Sequence, residues 1–317
     1  MNVLLSSASN KVTLLRALQQ AVKRLDEKGI VTAGDSCSNV LTRHFCDAFW
    51  QMPPTNKANV DEIVSELKKR KITHILPSRD GELMFWSKLK DDLKQAQIHV
   101  IVSDEKAIEL CLDKLAFGQS DLPHIIPAFC TLDGDRAICH SASPTLRYVV
   151  KERFGAGSHS IGVNLDEREA KEHAKKLSAP IFQPFIDGQE ISVDAWLTKE
   201  CKVKAAVCRV RDLVINGESQ VTYTLPNSPI SAKVTETLSS IGLSGPVVLQ
   251  GIINDGQFHI IECNSRFGGA STLGIKAGVD SLYWSLYEGM GKDIDALPVD
   301  LTKHKITQVR AATDYYL

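Results

Sequence analysis

The chain has 317 residues, of which 43% are hydrophobic and 24% charged, a composition typical of a globular protein rather than a disordered, collagen-like or coiled-coil one. Its 37 Lys and Arg residues balance 38 Asp and Glu residues, and a net charge of −1 excludes a protein that coats nucleic acid with a globally basic surface. No apolar run approaches the roughly 20 residues that a membrane span needs, so we expect no membrane partner.

The first hundred residues alternate apolar strands with amphipathic helices. This order predicts a parallel sheet with helices on both faces, and ligands gather at the carboxyl ends of such strands. The strands are predicted at residues 2–5, 30–33, 72–76 and 98–102, and the helices at 12–25, 61–71 and 82–96.

Two polar segments, Ser6–Asn10 and Ser78–Glu82, follow strands of this sheet and are therefore candidate binding segments. The first lacks the GxGxxG glycines that let a backbone approach a pyrophosphate, so NAD binding is disfavoured. As a purely structural feature, Ser6–Asn10 would be the cap of the following helix.

After about residue 110 the pattern becomes richer in strands, which predicts a mixed α+β body. Strands are predicted at 146–151, 203–214, 220–225, 247–253 and 258–263, and helices at 104–112, 166–177 and 231–241. The strands 181–186 and 190–197 are predicted to form a hairpin, because Asp187 and Gly188 are a favourable turn pair.

A glycine-rich loop lies between two of these elements. It contains Gly155, Gly157, Ser158 and Gly162, and glycines allow successive N–H groups to face an anion. The loop is neither a Walker A motif nor a GxGxxG motif, and by itself it could equally be a flexible hairpin. Two lysines favour a phosphate site: Lys151 ends the strand before the loop, and Lys114 lies one supersecondary unit earlier.

The segment 183–194 places polar residues on one face of a strand. Period-two geometry puts Glu190, Ser192 and Asp194 together, and a carboxylate at the start of a strand can accept two ribose hydroxyls. The alternative is the solvent-facing edge of a half-buried hairpin.

The segment 258–271 carries the most specific pattern. If the strand runs on, Glu262, Asn264 and Arg266 share a face, and Gln250 on the previous strand supplies another amide oxygen. Carboxylate and amide oxygens suit Mg²⁺, and an arginine offers a planar donor fork to phosphate or carboxylate. A salt-bridged strand end is the alternative, but the following Gly268–Gly269 pair indicates close backbone approach.

Taken in order, these pieces resemble the ATP-grasp superfamily, and they look most like its carbamoyl-phosphate synthetase large-subunit and biotin-carboxylase branch. The resemblance implies a pre-ATP-grasp, Rossmann-like domain at 1–110, a small lid subdomain at 111–182 and a large subdomain with the metal site at 183–317. It also implies an enzyme that transfers the γ-phosphoryl group of ATP to a carboxylate and lets an amine attack the acylphosphate.

The resemblance also implies a role for each matching residue. ATP phosphates would be held by Lys114 and Lys151, with the Gly155–Gly162 loop closing over them. The adenine would lie against residues 183–186, including Gln183, Phe185 and Ile186, and Glu190 would bind the ribose. The metal, Mg²⁺ or Mn²⁺ in its place, would be held by Gln250, Glu262 and Asn264. Arg266, and more weakly Arg209 and Arg211, would stabilise the acylphosphate.

The sequence departs from the family at Gln183–Pro184, where a glutamate is frequent, and at Asn264-Ser265-Arg266, where Asn-Pro-Arg is usual. Its length suggests a stand-alone ligase of one grasp unit, compatible with a homodimer. Eight cysteines without a CxxC pair suggest reduced thiols and a cytoplasmic location.

Two functional alternatives remain: a phosphoryl transferase that stops at an acyl, carbamoyl or carboxyphosphate, and a nucleotide-binding sensor without chemistry. The carboxylate and amine substrates are not defined by the sequence. Arg79 could clamp a substrate carboxylate, or it could form a salt bridge with Asp80 or Glu82.

Overall fold

The structure is a computed structural model that describes residues 1–132, 146–155, 160–226, 228 and 230–316. Its N-terminal part is a five-stranded parallel sheet with the strand order β3-β2-β1-β4-β5. The strands are β1 (Asn2–Ser6), β2 (Ile30–Asp35), β3 (Ala48–Gln51), β4 (His74–Pro77) and β5 (His99–Val100). Strands β1 and β4 are buried almost throughout, as expected for a sheet covered on both faces.

Helices cover both faces of this sheet. They are α1 (Val12–Leu25), α2 (Val60–Lys69), α3 (Asp80–Gln95) and α4 (Glu105–Leu112). The short α5 (Lys114–Gly118) that follows packs instead against the antiparallel sheets, where Leu115 and Phe117 are buried. Helix α1 buries Leu14, Leu15, Leu18 and Val22, whose three- and four-residue spacing forms one apolar stripe. The cores on the two faces are separate, one built around α1 and the other around α2 and α3.

The second sheet has six antiparallel strands in the order β13-β12-β9-β10-β11-β14. Its strands are β9 (Gln189–Leu197), β10 (Val203–Ile215), β11 (Glu218–Thr224), β12 (Gly245–Asn254), β13 (Gln257–Asn264) and β14 (Thr307–Val309). One face packs against helix α7 (Ser231–Ile241), which buries Val234, Leu238 and Ile241 in the core of that face.

A third, three-stranded antiparallel sheet has the order β7-β6-β8, and helix α6 packs on it. Its elements are β6 (Tyr148–Glu152), β7 (Gly162–Leu165), α6 (Glu167–Ala174) and β8 (Pro180–Pro184). The segment before it joins the two antiparallel sheets, because Ile125 bridges to Ile260 and Phe129 bridges to Phe182.

The parallel-sheet domain followed by a mixed body was correctly predicted, but the hairpin at Asp187–Gly188 was wrong. Strand β8 pairs with β6, whereas β9 pairs with β10 and β12 in the other sheet. The favourable turn pair therefore lies in a crossing between sheets, where tertiary pairing overrides local turn preference. The small-subdomain boundary placed at residue 182 falls inside β8. The short strands β3 and β14 were not predicted.

Two helices near the C-terminal end, α8 (Thr272–Lys276) and α9 (Ser281–Gly289), return to the N-terminal domain. Leu282 and Leu286 of α9 enter the core of α1, while Trp284 packs with Trp196 of β9. Helix α9 thus joins the parallel sheet to the six-stranded sheet. No helix in the described part of the chain has the length and apolar character needed to cross a membrane.

Candidate active site

A row of polar side chains crosses four strands of the six-stranded sheet on one face. Glu262 lies opposite Gln250, Gln250 opposite Ser192, and Ser192 opposite Arg209. Their chain neighbours point to the other face and form the apolar core beneath α7. The predicted polar face of β9 is therefore real, but β9 is a central strand, and Ser192 and Asp194 are buried rather than at a solvent-facing edge.

Gln250 connects Glu262, a predicted metal ligand, to Arg211. In the orientation that satisfies both ends of its amide, the nitrogen donates to Glu262 Oε1 at 2.5 Å and the oxygen accepts from Arg211 Nη1 at 3.1 Å. Arg211 also forms an ion pair with Glu190, and its Nη2 donates to the carbonyl oxygen of Gly217 at 2.7 Å. The predicted ribose ligand, metal ligands and Arg211 thus form one continuous network.

Glu262 and Asn264 fit a magnesium site better than Gln250 does. Both are half-buried side chains at the end of β13, and they offer a carboxylate and an amide oxygen. The amide oxygen of Gln250 is instead committed to Arg211. The described residues contain no group of three or more His, Cys, Asp and Glu side chains that could hold a metal. A set with one carboxylate suits a hard ion that also takes phosphate oxygens.

Arg266 reaches across to the N-terminal domain. Its Nε and Nη2 donate to the two carboxylate oxygens of Asp80 at 2.7 and 2.8 Å, which is a bidentate ion pair. Nη2 also lies 3.4 Å from Asn264 Oδ1. Asp80 opens helix α3, so the predicted acylphosphate residue and the predicted segment Ser78–Glu82 meet in space.

Arg209 lies deeper than the sequence suggested. It is 3% exposed, its Nε donates to Asp194 Oδ2 at 2.8 Å, and its Nη1 is buried without a hydrogen-bond partner in the described part of the chain. Asp194 also accepts from Ser271 Oγ at 2.6 Å, and Ser271 Oγ accepts from the Gly268 N–H at 3.0 Å. Arg209 is thereby connected to the Gly268–Gly269 turn that follows Arg266.

The two predicted phosphate lysines lie beside the same sheet. Lys151 on β6 is 4% exposed; burial lowers the pKa of its ammonium group, the nearby Glu262 opposes this shift, and the positive charge of Lys114 adds to it. Lys114 Nζ donates to the carbonyl oxygen of Gly155 at 2.6 Å. Arg153 fixes the start of α5, because it pairs with Asp113, the residue whose carboxylate caps that helix.

The glycine loop is described only at its ends. Gly155 has a φ of +115°, a conformation that favours glycine, and Gly162 packs tightly against His173 of α6. Gly157 and Ser158 lie outside the described residues.

The segment predicted to contact adenine crosses between the two antiparallel sheets. The Gln183 side chain is buried and donates to the carbonyl oxygen of Ile126 at 3.1 Å, and the Phe185 N–H donates to the carbonyl oxygen of Arg147 at 2.8 Å. Within the described chain nothing accepts the Ile186 N–H. Backbone recognition by this segment would therefore rest on Ile186.

The two N-terminal binding segments come together at the carboxyl ends of β1 and β4. Ser78 Oγ donates to the carbonyl oxygens of Ser6 at 2.7 Å and Ser7 at 2.9 Å. The helix-cap interpretation of Ser6–Asn10 was wrong, because the cap position of α1 is Lys11 and no side chain caps the helix. The contact of Asp80 with Arg266 was not predicted, because it joins distant segments of the chain. Lys11, whose Nζ donates to the carbonyl oxygen of Ser7, was not among the predicted residues.

Comparison with protein families gives two matches. The ATP-grasp domain matches residues 135–270, and the PylC-like, N-terminal domain matches residues 3–101. No curated protein matches the chain in sequence.

Several solved structures share the fold. Biotin carboxylase from Campylobacter jejuni has a TM-score of 0.71 at 17% identity, over 95% of this chain and 73% of that one. The biotin carboxylase domain of Hydrogenobacter thermophilus 2-oxoglutarate carboxylase, solved with MgADP, ADP and bicarbonate, has a TM-score of 0.71 at 17% identity, over 92% of this chain and 70% of that one. Phosphoribosylglycinamide synthetase from Anaerococcus prevotii has a TM-score of 0.67 at 16% identity, over 92% of this chain and 75% of that one.

Proposed function

Because the chain joins a PylC-like N-terminal domain to an ATP-grasp domain, we propose that it is an ATP-dependent ligase. It joins a small carboxylate to an amine, with ADP and phosphate as products. The observation that carries the proposal is the grouping of Glu262, Asn264 and Arg266 at one end of the sheet, with the buried Lys151 in the field of Glu262.

The reaction proceeds in two steps. A carboxylate oxygen of the acceptor forms a bond to the γ-phosphorus while the bond from that phosphorus to the β-phosphate oxygen breaks, and ADP leaves. The amine nitrogen then bonds to the acyl carbon, phosphate departs, and the amine gives up a proton to solvent. Phosphoryl transfer needs mainly positioning and charge neutralisation, so no covalent protein nucleophile is required.

The side chains divide these tasks. Lys151 and Lys114 neutralise phosphate charge, and Arg266 offers donors to the acylphosphate oxygens next to Asn264. Glu262 and Asn264 would hold Mg²⁺, or Mn²⁺ in its place, and the metal would supply charge neutralisation and orientation to the phosphates. Gln250 orients Glu262 rather than coordinating the metal, and Glu190 remains the proposed ribose ligand, paired with Arg211. Arg209 does not contact the acylphosphate in this proposal; it positions the turn after Arg266 through Asp194 and Ser271.

The Hydrogenobacter relative supports the nucleotide assignment, because it has the same fold and was solved with MgADP and bicarbonate. The proposal also includes a cytoplasmic location and a homodimer.

The test is ADP release measured over a panel of carboxylates and amines in pairs, with phosphate quantified separately. We expect one pair to stimulate ADP and phosphate equally, and Glu262→Gln to abolish the stimulation while circular dichroism stays unchanged. ADP without phosphate in solution would indicate a phosphoryl transferase. Nucleotide binding with no stimulation by any pair would indicate a sensor.

A further inference from the structure

We propose that Lys11 and Arg79 form a binding site for an oxyanion of the acceptor substrate, a carboxylate or a phosphate, at the carboxyl ends of β1 and β4. The proposal rests on the ligase function above and specifies its substrate class: the acceptor carries an anionic group that faces the N-terminal domain.

The two cations are held over the same residue. Lys11 Nζ donates to the carbonyl oxygen of Ser7 at 2.7 Å, and Arg79 Nε lies 3.4 Å from Ser7 Oγ. Ser78 Oγ supports that carbonyl oxygen from the other strand at 2.9 Å. Ser7 itself has a φ of 52°, which a residue with a side chain rarely adopts. The backbone therefore holds Lys11 and Arg79 close together despite their like charge.

The nearby carboxylates are already occupied. Glu82 is fully buried and accepts from the N–H groups of Ser78 and Arg79, from Ser6 Oγ and from Trp86 Nε1. Asp80 is bound by Arg266 through both oxygens. The remaining carboxylate, Asp35, accepts from the N–H groups of Ser9 at 2.8 Å and Cys37 at 3.0 Å. None of these carboxylates forms an ion pair with Lys11 or Arg79.

The nearby charges balance in number, but they are not all paired. Across the described ranges, no salt bridge involves Lys11 or Arg79, whereas Arg266 is paired with Asp80. Burial lowers the pKa of Lys11, Glu82 opposes this effect, and Arg266 adds to it. Lys11 and Arg79 repel each other and neither forms an ion pair, so an oxyanion bound between them would relieve that repulsion.

Arg79 is oriented by its neighbour Gly81. A methyl group at Gly81 would lie 2.6 Å from Arg79 Nη1 and 3.4 Å from its Cζ, so the guanidinium lies over the bare α-carbon. This contact gives a probe that keeps the charge: Gly81→Ala displaces the guanidinium without removing it, in a helix turn where alanine is well tolerated.

The experiment measures binding first, without turnover. Acetate, succinate, aspartate and inorganic phosphate are titrated at constant ionic strength into the wild-type protein and into Lys11→Gln, Arg79→Gln and Gly81→Ala. Lys28→Gln is the matched control, because Lys28 is exposed and lies just before β2, at the amino ends of the parallel strands rather than at their carboxyl ends. Heteronuclear NMR of backbone amides, with the Ser6–Asn10 and Ser78–Glu82 signals followed, gives the dissociation constant of each probe.

We expect at least one probe to shift those signals, with about a tenfold or greater loss of affinity in Lys11→Gln and Arg79→Gln. We expect a smaller loss in Gly81→Ala and none in Lys28→Gln. Preference for succinate and aspartate assigns a carboxylate, and preference for phosphate assigns a phosphate. Absence of binding by all four probes, or equal binding by the Lys11 and Arg79 variants, overturns the proposal.

The outcome is separable from the ligase proposal. If an acceptor stimulates ADP release but its half-saturating concentration is the same in wild type and in Lys11→Gln and Arg79→Gln, the ligase stands and the anion site is refuted. If the variants lose probe binding but no carboxylate–amine pair stimulates ADP release, the anion site stands and the ligase proposal fails.

Discussion

At the scale of a single residue, the Gln250 amide orients Glu262, the proposed metal ligand. It donates to Glu262 and accepts from Arg211, so it fixes which carboxylate oxygen of Glu262 remains available. Residues that orient a ligand in this way commonly change metal affinity by about 10- to 100-fold when removed.

We therefore expect Gln250→Ala to raise the Mg²⁺ concentration needed for half-maximal ADP release by about tenfold, with a smaller change in the maximal rate. Asn264→Ala, which removes a proposed ligand, should lower the maximal rate as well. Magnesium titrations at saturating ATP measure both. An unchanged magnesium requirement in Gln250→Ala would contradict the orienting role.

Asp80 provides a second residue-scale prediction, since it holds Arg266 through two oxygens. Asp80→Asn keeps the shape and one acceptor but removes the charge that fixes the fork. The turnover number should fall by about tenfold with little change in ATP affinity, whereas Arg266→Ala should cost about 10²–10³. Steady-state kinetics distinguish this from a structural role, in which only the free energy of unfolding would change.

Sequence reasoning could predict which of the proposed site residues share a strand face, but not their contacts. Glu262, Asn264 and Gln250 could be predicted because strand alternation is local and the register of adjacent strands is regular. The burial of Arg209 against Asp194 could not, because it depends on β9 being a central strand. The Asp80–Arg266 pair could not either, since 186 residues separate its members.

At the scale of elements, the same distinction explains what was right and wrong in the fold. The parallel βαβ order has few solutions, so the N-terminal sheet was predictable from its pattern. The crossing from β8 to β9 was not, because Asp187–Gly188 has the composition of a hairpin turn. In the structure β8 pairs with β6, which precedes it, whereas β9 pairs with β10 and β12, which follow it.

A histidine pair on adjacent strands gives an element-scale prediction. His74 of β4 lies beside His99 of β5, with ring centroids 5.7 Å apart, and Gly289 of α9 packs against both. Burial lowers the pKa of His74 from 6.5 to about 4, and the neighbouring His99 adds to this. Burial likewise lowers the pKa of His99 to about 4, and Lys90 adds to it.

Because the unfolded chain binds these protons near pH 6.5 and the folded protein only near pH 4, stability is complete above pH 6.5 and declines as the pH falls toward 4. The loss is on the order of 3 kcal/mol for each ring. Urea unfolding between pH 4 and 7 should therefore show a shallower pH dependence in His74→Gln/His99→Gln than in the wild type. Identical slopes would show that other groups control this decline.

At the scale of the whole molecule, α9 is one of the elements that connect the two large sheets. Leu286 is fully buried against the α1 core, whereas Met290, just past the helix, is 41% exposed. Leu286→Ala should lower the free energy of unfolding by about 2–5 kcal/mol, and Met290→Ala should change it little. If both variants unfold at the wild-type urea midpoint, the contact of α9 with α1 does not contribute to stability.

The position of α9 in the chain also has a consequence for translation. Helix α1 is made early, but Leu282 and Leu286, which complete its core, leave the ribosome only after every strand of the antiparallel sheets except β14 has been made. At a typical rate of about 5–20 residues per second, α9 is made on the order of ten to fifty seconds after α1. During that interval the part of the α1 core that α9 covers is exposed, and the ion pair of Asp80 with Arg266 forms only once synthesis is nearly finished.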